Sequence, residues 1–124
     1  MSGTRPRPRT LPHTDKSMYK YSLRRDIFVL TIKLMELEYD PNKRDKTLTE
    51  RGLDFARAVE VFAGHHFTLE DTREDYVESR YITVGTLDGR MIVMVWTPRG
   101  EARRIISMRK ANDREQARYA HRLG

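Results

Sequence analysis

The chain of 124 residues contains no cysteine and no long apolar run, and each absence excludes a class of protein. Without cysteine there are no disulfides, no thiolate metal sites and no cysteine nucleophile. No apolar segment approaches the roughly 20 residues that span a bilayer. The arginine-rich start is not followed by the apolar stretch and small-residue cleavage site of a signal peptide. We therefore expect a cytoplasmic protein that does not bind a membrane.

The net charge of +6 is unevenly distributed along the chain. Residues 1–34 hold eight Lys or Arg against two Asp, whereas residues 35–124 hold sixteen basic and sixteen acidic residues. Within the second part, residues 60–78 are mainly acidic and residues 99–122 are mainly basic. A neutral domain with one basic end indicates a local phosphate site better than it indicates general coating of nucleic acid.

Residues 1–34 are interpreted as a basic, partly disordered N-terminal extension, and residues 35–124 as a single domain. Residues 1–17 are rich in Pro and Arg and cannot bury apolar area, whereas residues 27–32 have the composition of a strand. Met35 is an alternative start of the protein. The charge of the extension fits either a solvated tail or non-specific attraction to RNA.

Local signals in residues 35–124 predict an α+β domain. Asp40 is a good N-cap before Pro41, and Gly52 a good stop, which places a helix between them. Asp54 begins a second helix, whose apolar stripe is formed by Phe55, Ala58, Val59 and Phe62. Strands are predicted at 36–39, 65–71, 80–87, 90–97 and 103–109, with turns at Asp88-Gly89 and at 98–101, and a last helix is capped by Asn112 and Glu115. The expectation is a small antiparallel sheet with two N-terminal helices and one C-terminal helix.

The segment from Arg103 to Ala111 places four cations around an apolar strand centre. Arginine suits phosphate because its planar fork of donors is always charged. Strand alternation puts Arg104 and Arg109 on opposite faces, unless a bulge or the strand end turns one of them.

Glu78 and Arg80 share a face if both are extended. This pair could be a general base with a tuned pKa beside a phosphate-binding cation, or an ordinary surface ion pair. Tyr81 and Trp96 could stack on bases, although we expect both in the sheet core.

His65 and His66 raise the question of a metal site. Neighbours in a strand point to opposite faces, so one ion cannot easily take both rings, and no spaced third ligand completes a set. We predict no metal and no cofactor.

Several of these segments carry a family resemblance. The segment Arg104–Asn112 (RIISMRKAN) resembles the C-terminal part of BrnT-family toxins, and further matches occur in the right order at 39–43, 52–55, 78–81 and 96–97. The resemblance covers about residues 35–124. It implies a RelE-like fold, a ribonuclease that cleaves RNA and inhibits translation, and neutralisation by a BrnA-type antitoxin. Operator DNA would be bound only through the antitoxin.

The residues and the resemblance together define a candidate site for a metal-independent endoribonuclease. Its predicted catalytic residues are Glu78, Arg80, Arg104 and Arg109, and its predicted RNA contacts are Arg103, Ser107 and Lys110. Two rivals stay open: a non-catalytic binding module or corepressor acting with a DNA-binding partner, and a general RNA-binding protein that uses the basic tail.

Overall fold

The computed structural model describes residues 35–123, so the predictions for residues 1–34 lie outside the described part. The strands are β1 (Glu36–Glu38), β2 (His66–Glu70), β3 (Tyr81–Leu87), β4 (Arg90–Arg99) and β5 (Ala102–Lys110). The helices are α1 (Pro41–Arg51), α2 (Ala58–Ala63) and α3 (Asp113–Leu123), and a short 3₁₀ turn, Phe55–Arg57, leads into α2. An α+β fold with one five-stranded sheet and three helices is confirmed.

The sheet is mixed, and the prediction of a purely antiparallel sheet is wrong for its first strand. The strand order is β1-β5-β4-β3-β2, and β2 to β5 form an antiparallel meander. By contrast, β1 pairs in parallel with β5. The helices α1 and α2 separate β1 from β2 along the chain, so no hairpin joins these two strands and β1 is available to pair at the far edge.

Two tight turns join the strands of the meander. Asp88 and Gly89 have φ values of 52° and 76°, the positive pair that a type I′ hairpin requires. This turn is confirmed. The next turn is shorter than predicted, because β4 continues to Arg99 and only Gly100 and Glu101 lie between the strands. Gly100 has a φ of 57°, which its lack of a side chain permits.

Capping side chains set the ends of α1, as predicted. The Asp40 carboxylate accepts a hydrogen bond from the Asn42 N–H at 2.9 Å, and Gly52 ends the helix in the left-handed conformation. None of the residues of α1 is buried. The helix is held by polar contacts instead: the Arg44 guanidinium donates to both oxygens of Asp54 at 2.8 and 2.9 Å.

The second helix buries three of the four residues of its predicted apolar stripe, Phe55, Ala58 and Phe62. Asp54 caps the 3₁₀ turn, with its carboxylate accepting from the Ala56 N–H at 2.9 Å. A 3₁₀ turn advances by three residues per turn instead of 3.6, which shifts the buried stripe. As a result Val61 is fully buried, whereas Val59 is only half-buried.

The two faces of the sheet are covered unequally. On one face, here called the core face, the 3₁₀ turn and α2 bury the main cluster, which includes Ile92, Met94 and Trp96, with Tyr81 packed against it. Both aromatic residues thus belong to the core, as expected. On the other face, here called the α3 face, α3 covers a smaller patch around Val84 and Val93. The rest of the α3 face is left for polar side chains.

A β-bulge interrupts β5 at Ile106. Val95 pairs with Ser107, but the next residue of β4, Trp96, pairs with Ile105, so Ile106 is an extra residue. Ile105 and Met108 are three positions apart and would face opposite sides of a regular strand. Because of the bulge, both are buried in the same core cluster.

Gly85 is required where β3 meets α2. A Cβ at this position would lie 2.6 Å from Cγ1 of Val61 and 3.3 Å from the His65 carbonyl oxygen. Val61 is β-branched and cannot easily turn aside. We expect Gly85→Ala to destabilise the protein by about 1–3 kcal/mol, the usual cost of overpacking. Urea denaturation measures the change.

Gly64→Ala is the matched control. Its new Cβ would meet only the Glu60 carbonyl oxygen at 3.6 Å, an ordinary contact, and its φ of −94° suits any residue. A Gly85→Ala protein as stable as the Gly64→Ala protein would contradict the packing argument.

Candidate active site

The bulge at Ile106 turns Arg104 and Arg109 to the same face of the sheet. Arg104 pairs with Thr97, and Arg109 pairs with Val93. Thr97 and Val93 are four residues apart on a regular strand, so they share a face, and their cross-strand partners share it too. The sequence placed these two arginines on opposite faces only if β5 was regular, and the bulge shows that it is not. The two arginines lie on the α3 face about 13 Å apart along the strands.

The α3 face also carries Ser107 and the start of β3. Ser107 lies between the two arginines and pairs with Val95. Arg80 directly precedes Tyr81, whose ring packs on the core face, so alternation directs Arg80 to the α3 face. Four of the predicted site residues are therefore brought to one surface: Arg80, Arg104, Ser107 and Arg109.

Arg103 and Lys110 are separated from this surface. The Arg103 guanidinium lies 4.4 Å from the ring centroid of Phe62 and 4.9 Å from that of Trp96, on the core face. Burial lowers the pKa of Arg103. Lys110 pairs with Ile92, which is buried in the core cluster, so Lys110 also belongs to the core face. The structure does not bring these two predicted RNA contacts together with Arg104.

Three arginines of the α3 face have acidic partners. Arg104 lies 3.5 Å from Glu38, its neighbour on β1, and Arg99 lies 3.3 Å from Glu78. Glu78 therefore contacts Arg99 and not Arg80. Arg109 is held most firmly, because its fork donates to both oxygens of Glu115 at 2.7 and 2.8 Å.

Glu115 also closes the capping box of α3, as predicted. Its carboxylate accepts from the Asn112 N–H at 2.9 Å, and the Asn112 side chain accepts from the Glu115 N–H at 2.8 Å. The hydrogen bond from Arg109 is the main reason that the pKa of Glu115 falls to about 2. One carboxylate thus joins the end of β5 to the start of α3.

Arg80 is held differently. Its guanidinium carbon lies 4.3 Å from the centroid of the Tyr76 ring, a cation–π contact. Its Nε atom is buried and has no hydrogen-bond partner. Among residues 35–123, no carboxylate forms an ion pair with Arg80, in contrast to Arg99, Arg104 and Arg109. Arg80 is therefore a positioned cation that no carboxylate of the described residues neutralises.

Thr97 connects Arg80 to Arg104. Its hydroxyl is buried and donates to the Ser79 carbonyl oxygen at 2.6 Å, which fixes the backbone just before Arg80. On its other side, Thr97 pairs with Arg104. Thr97, Tyr76 and Glu38 were not identified from the sequence. Of these, only Thr97 could have been found from the sequence. Neighbouring residues of a strand face opposite sides, so Thr97 faces away from the core residue Trp96.

His66 begins β2, and His65 directly precedes it. His65 and His66 are exposed, and His66 Nδ1 lies 2.8 Å from the Gly64 carbonyl oxygen. Within residues 35–123, no group of three or more His, Asp or Glu side chains is placed to hold a metal ion. In the same part of the chain, no helix is both long and apolar enough to cross a bilayer.

A family model described as "Ribonuclease toxin, BrnT, of type II toxin-antitoxin system" matches residues 39–115, which is more than half of the chain. The chain belongs to the BrnT toxin family. As a member of this family of ribonuclease toxins, it has RNA as its implied substrate and an antitoxin as its implied partner. The BrnT match includes Tyr76, Arg80, Arg104 and Glu115. It begins at residue 39 and therefore leaves out Glu38. No individually curated protein matches the chain.

The paired hydrogen bonds from Arg109 to Glu115 should make the stability of the protein depend on pH. Glu115→Gln should lower the free energy of unfolding by about 1–2 kcal/mol at neutral pH, because it removes a charged cap. The folded-state pKa of about 2 lies below the ordinary value of 4.5, so this contribution is complete above pH 4.5 and is lost as the pH falls towards 2. Urea denaturation at a series of pH values measures it.

Glu101→Gln, in the exposed turn between β4 and β5, is the control for removing one negative charge. The difference between wild type and Glu115→Gln should shrink between pH 4.5 and 2. A difference that stays constant down to pH 2 would show that the carboxylate charge is not its source.

Proposed function

We propose that this BrnT-family chain is a metal-independent endoribonuclease with a RelE-like arrangement of its sheet, and that its active site lies on the α3 face. The observation that carries the proposal is the state of Arg80, a cation held by the Tyr76 ring, with an unpaired Nε and no carboxylate partner among residues 35–123. The Thr97 hydroxyl donates to the carbonyl oxygen of Ser79, directly before Arg80, and Thr97 pairs with Arg104 on the neighbouring strand, so the two arginines lie on either side of Thr97 along the backbone. This arrangement suits a single phosphate group better than a long stretch of backbone.

The proposed reaction is an attack by the ribose 2′-oxygen on the adjacent phosphorus. The P–O2′ bond forms, the P–O5′ bond breaks, and the products are a 2′,3′-cyclic phosphate and a 5′-hydroxyl. Arg80 and Arg104 stabilise the charge that builds on the phosphorane oxygens, which is where preorganised donors contribute most. Water supplies the proton that the leaving O5′ atom takes up.

A base must accept the 2′-hydroxyl proton, and the carboxylates beside the arginines are the candidates. Glu78 keeps the role of general base that the sequence suggested, and it is half-exposed beside Arg99. Glu38 is a second carboxylate at the site, 3.5 Å from Arg104. Comparing Glu78→Gln with Glu38→Gln would show which of them takes the proton.

Arg109 has a structural role in the proposed site. Its fork is already occupied by Glu115, so we assign to it the docking of α3 and not the binding of the scissile phosphate. Ser107, between Arg104 and Arg109, is left to contact the RNA chain beyond the reacting group.

The wider function proposed is that of a toxin acting in the cytoplasm, where cleavage of mRNA inhibits translation. A BrnA-type antitoxin would neutralise it, and operator DNA would be bound only through that partner. The rival, a non-catalytic binding module or corepressor, is favoured by the acidic partners of Arg104 and Arg109, since paired arginines bind phosphate less readily.

Arg80→Ala and Arg104→Ala should each slow RNA cleavage by roughly 10²–10³, the usual cost of losing one donor to the transition state. Neither arginine is fully buried, so the melting temperature should change little. Cleavage rate and melting temperature are to be measured on the same purified full-length samples.

Lys110→Ala is the matched control, because it removes a cation from the same strand but from the core face. It should cleave RNA at close to the wild-type rate. Arg80→Lys separates charge from geometry, since lysine lacks the planar fork. Folded Arg80→Ala protein with full activity would remove Arg80 from the site and favour the binding-module rival.

Cleavage should also survive chelation. The proposed reaction uses protein side chains, the 2′-hydroxyl and water but no metal ion, so excess EDTA should leave the rate unchanged. A substrate with 2′-deoxyribose at the cleaved position should resist the enzyme, because it lacks the attacking oxygen. Loss of activity in EDTA that added Mg²⁺ or Mn²⁺ restores would overturn the mechanism.

A further inference from the structure

The segment between β2 and β3 forms a closed loop beside Arg80. The Asp71 N–H donates to the Arg80 carbonyl oxygen at 2.8 Å, so the chain leaves and returns at the same point. The loop and its ends, residues 70–80, line a cavity of about 550 Å³. Sites for small molecules commonly have volumes of about 300–1,000 Å³, so the cavity is large enough for one nucleoside.

The buried carboxylate of Asp71 organises this loop. It accepts from Nε and Nη2 of Arg73 at 2.8 Å and from the Tyr76 hydroxyl at 3.2 Å. The side chain is fully buried, and the hydrogen bond from Arg73 is the main reason that the pKa of Asp71 falls to about 2. Tyr76 is therefore fixed at both ends, by Asp71 at its hydroxyl and by Arg80 at its ring.

Tyr76 and Arg80 together provide a stacking platform. The Tyr76 ring covers one face of the guanidinium at 4.3 Å. Both side chains line the cavity, so a flat ring that enters it can meet the Tyr76 ring beside the charge of Arg80. Unstacked RNA bases are commonly bound on aromatic rings or on arginine planes.

The charge of the loop indicates which bases the cavity would accept. Glu74 and Asp75 directly precede Tyr76 and are exposed, and no salt bridge involves either of them within residues 35–123. Carboxylates repel phosphate but accept hydrogen bonds from the exocyclic amino groups of cytosine, adenine and guanine. Uracil has no such group.

We propose that the loop of residues 72–79 holds the nucleobase next to the scissile phosphate and prefers bases with an exocyclic amino group over uracil. The inference rests on the proposed function, because it takes Arg80 as the contact to that phosphate. Tyr76 supplies the stacking surface, and Glu74 or Asp75 accepts the amino hydrogen. The loop would thus set where the enzyme cuts, while Arg80 and Arg104 set how fast it cuts.

The test uses DNA oligonucleotides with a single ribonucleotide, so that only one phosphodiester can react. The base at the ribonucleotide, or at the nucleotide after it, is varied among all four. For one of these two positions, full-length wild-type protein should cleave the cytosine substrate about tenfold faster than the uracil substrate. The ratio of the two rates is the readout, because a general loss of activity cancels in it.

Variants of the loop separate its parts. Tyr76→Ala should bring the ratio close to one, whereas Tyr76→Phe keeps the ring and should keep the ratio. Glu74→Gln or Asp75→Asn should reduce the ratio. Glu50→Gln, which removes an exposed carboxylate from α1, is the control and should leave the ratio unchanged.

Affinity measurements separate failure of this inference from failure of the proposed function. The all-deoxy forms of the same oligonucleotides cannot be cleaved, and their binding should show the same preference for cytosine and the same loss in Tyr76→Ala. If wild type cleaves nothing but keeps this preference, the proposed reaction is wrong and the base site stands.

The inference is overturned by equal rates and affinities for all four bases, or by a preference that Tyr76→Ala and both carboxylate variants leave intact. Binding of a lysine-rich peptide to the loop, lost in the carboxylate variants and without any base preference, would assign the loop to a basic protein partner instead.

Discussion

The arrangement of the α3 face depends on one extra residue in β5. Without the bulge at Ile106, either Ile105 or Met108 would have to leave the core, and Arg104 and Arg109 would lie on opposite faces. Burial of these two apolar side chains, each worth about 1.5–3 kcal/mol, therefore stabilises the register that also places the arginines. The apolar core and the polar surface are set by the same irregularity.

The arginines of this face then differ by what surrounds each of them. Arg109 is held by two short hydrogen bonds to a capping carboxylate, and Arg104 has a single, longer contact with Glu38. Arg80 is held by the ring of Tyr76, whose hydroxyl donates to Asp71, and the Asp71 carboxylate also binds Arg73. A cation–π contact restricts a guanidinium without neutralising it. This difference distinguishes a structural arginine from one suited to bind phosphate.

Much of the secondary structure was predictable, because its signals are local. Asp40, Gly52 and the Asn112–Glu115 capping box act within one turn of a helix, and Asp88-Gly89 acts within one hairpin. The burial of Val61 in place of Val59 was missed, because the 3₁₀ turn at Phe55–Arg57 was not predicted. The parallel pairing of β1 was missed because its partner, β5, lies more than sixty residues away along the chain.

For the candidate site, the sequence by itself determined which chemical groups are present. These are the arginines between residues 80 and 109 and the acidic residues before Arg80, and there is no thiol. It also determined the family, since residues 39–115 match the BrnT ribonuclease toxins. Only the tertiary structure decided which arginines face the same way, which of them are paired, and that Tyr76 and Thr97 support Arg80. The physical reason is that facing and pairing depend on strand register and on contacts between distant segments. A one-residue bulge reverses the facing of every side chain beyond it, and alternation along a single strand cannot reveal it.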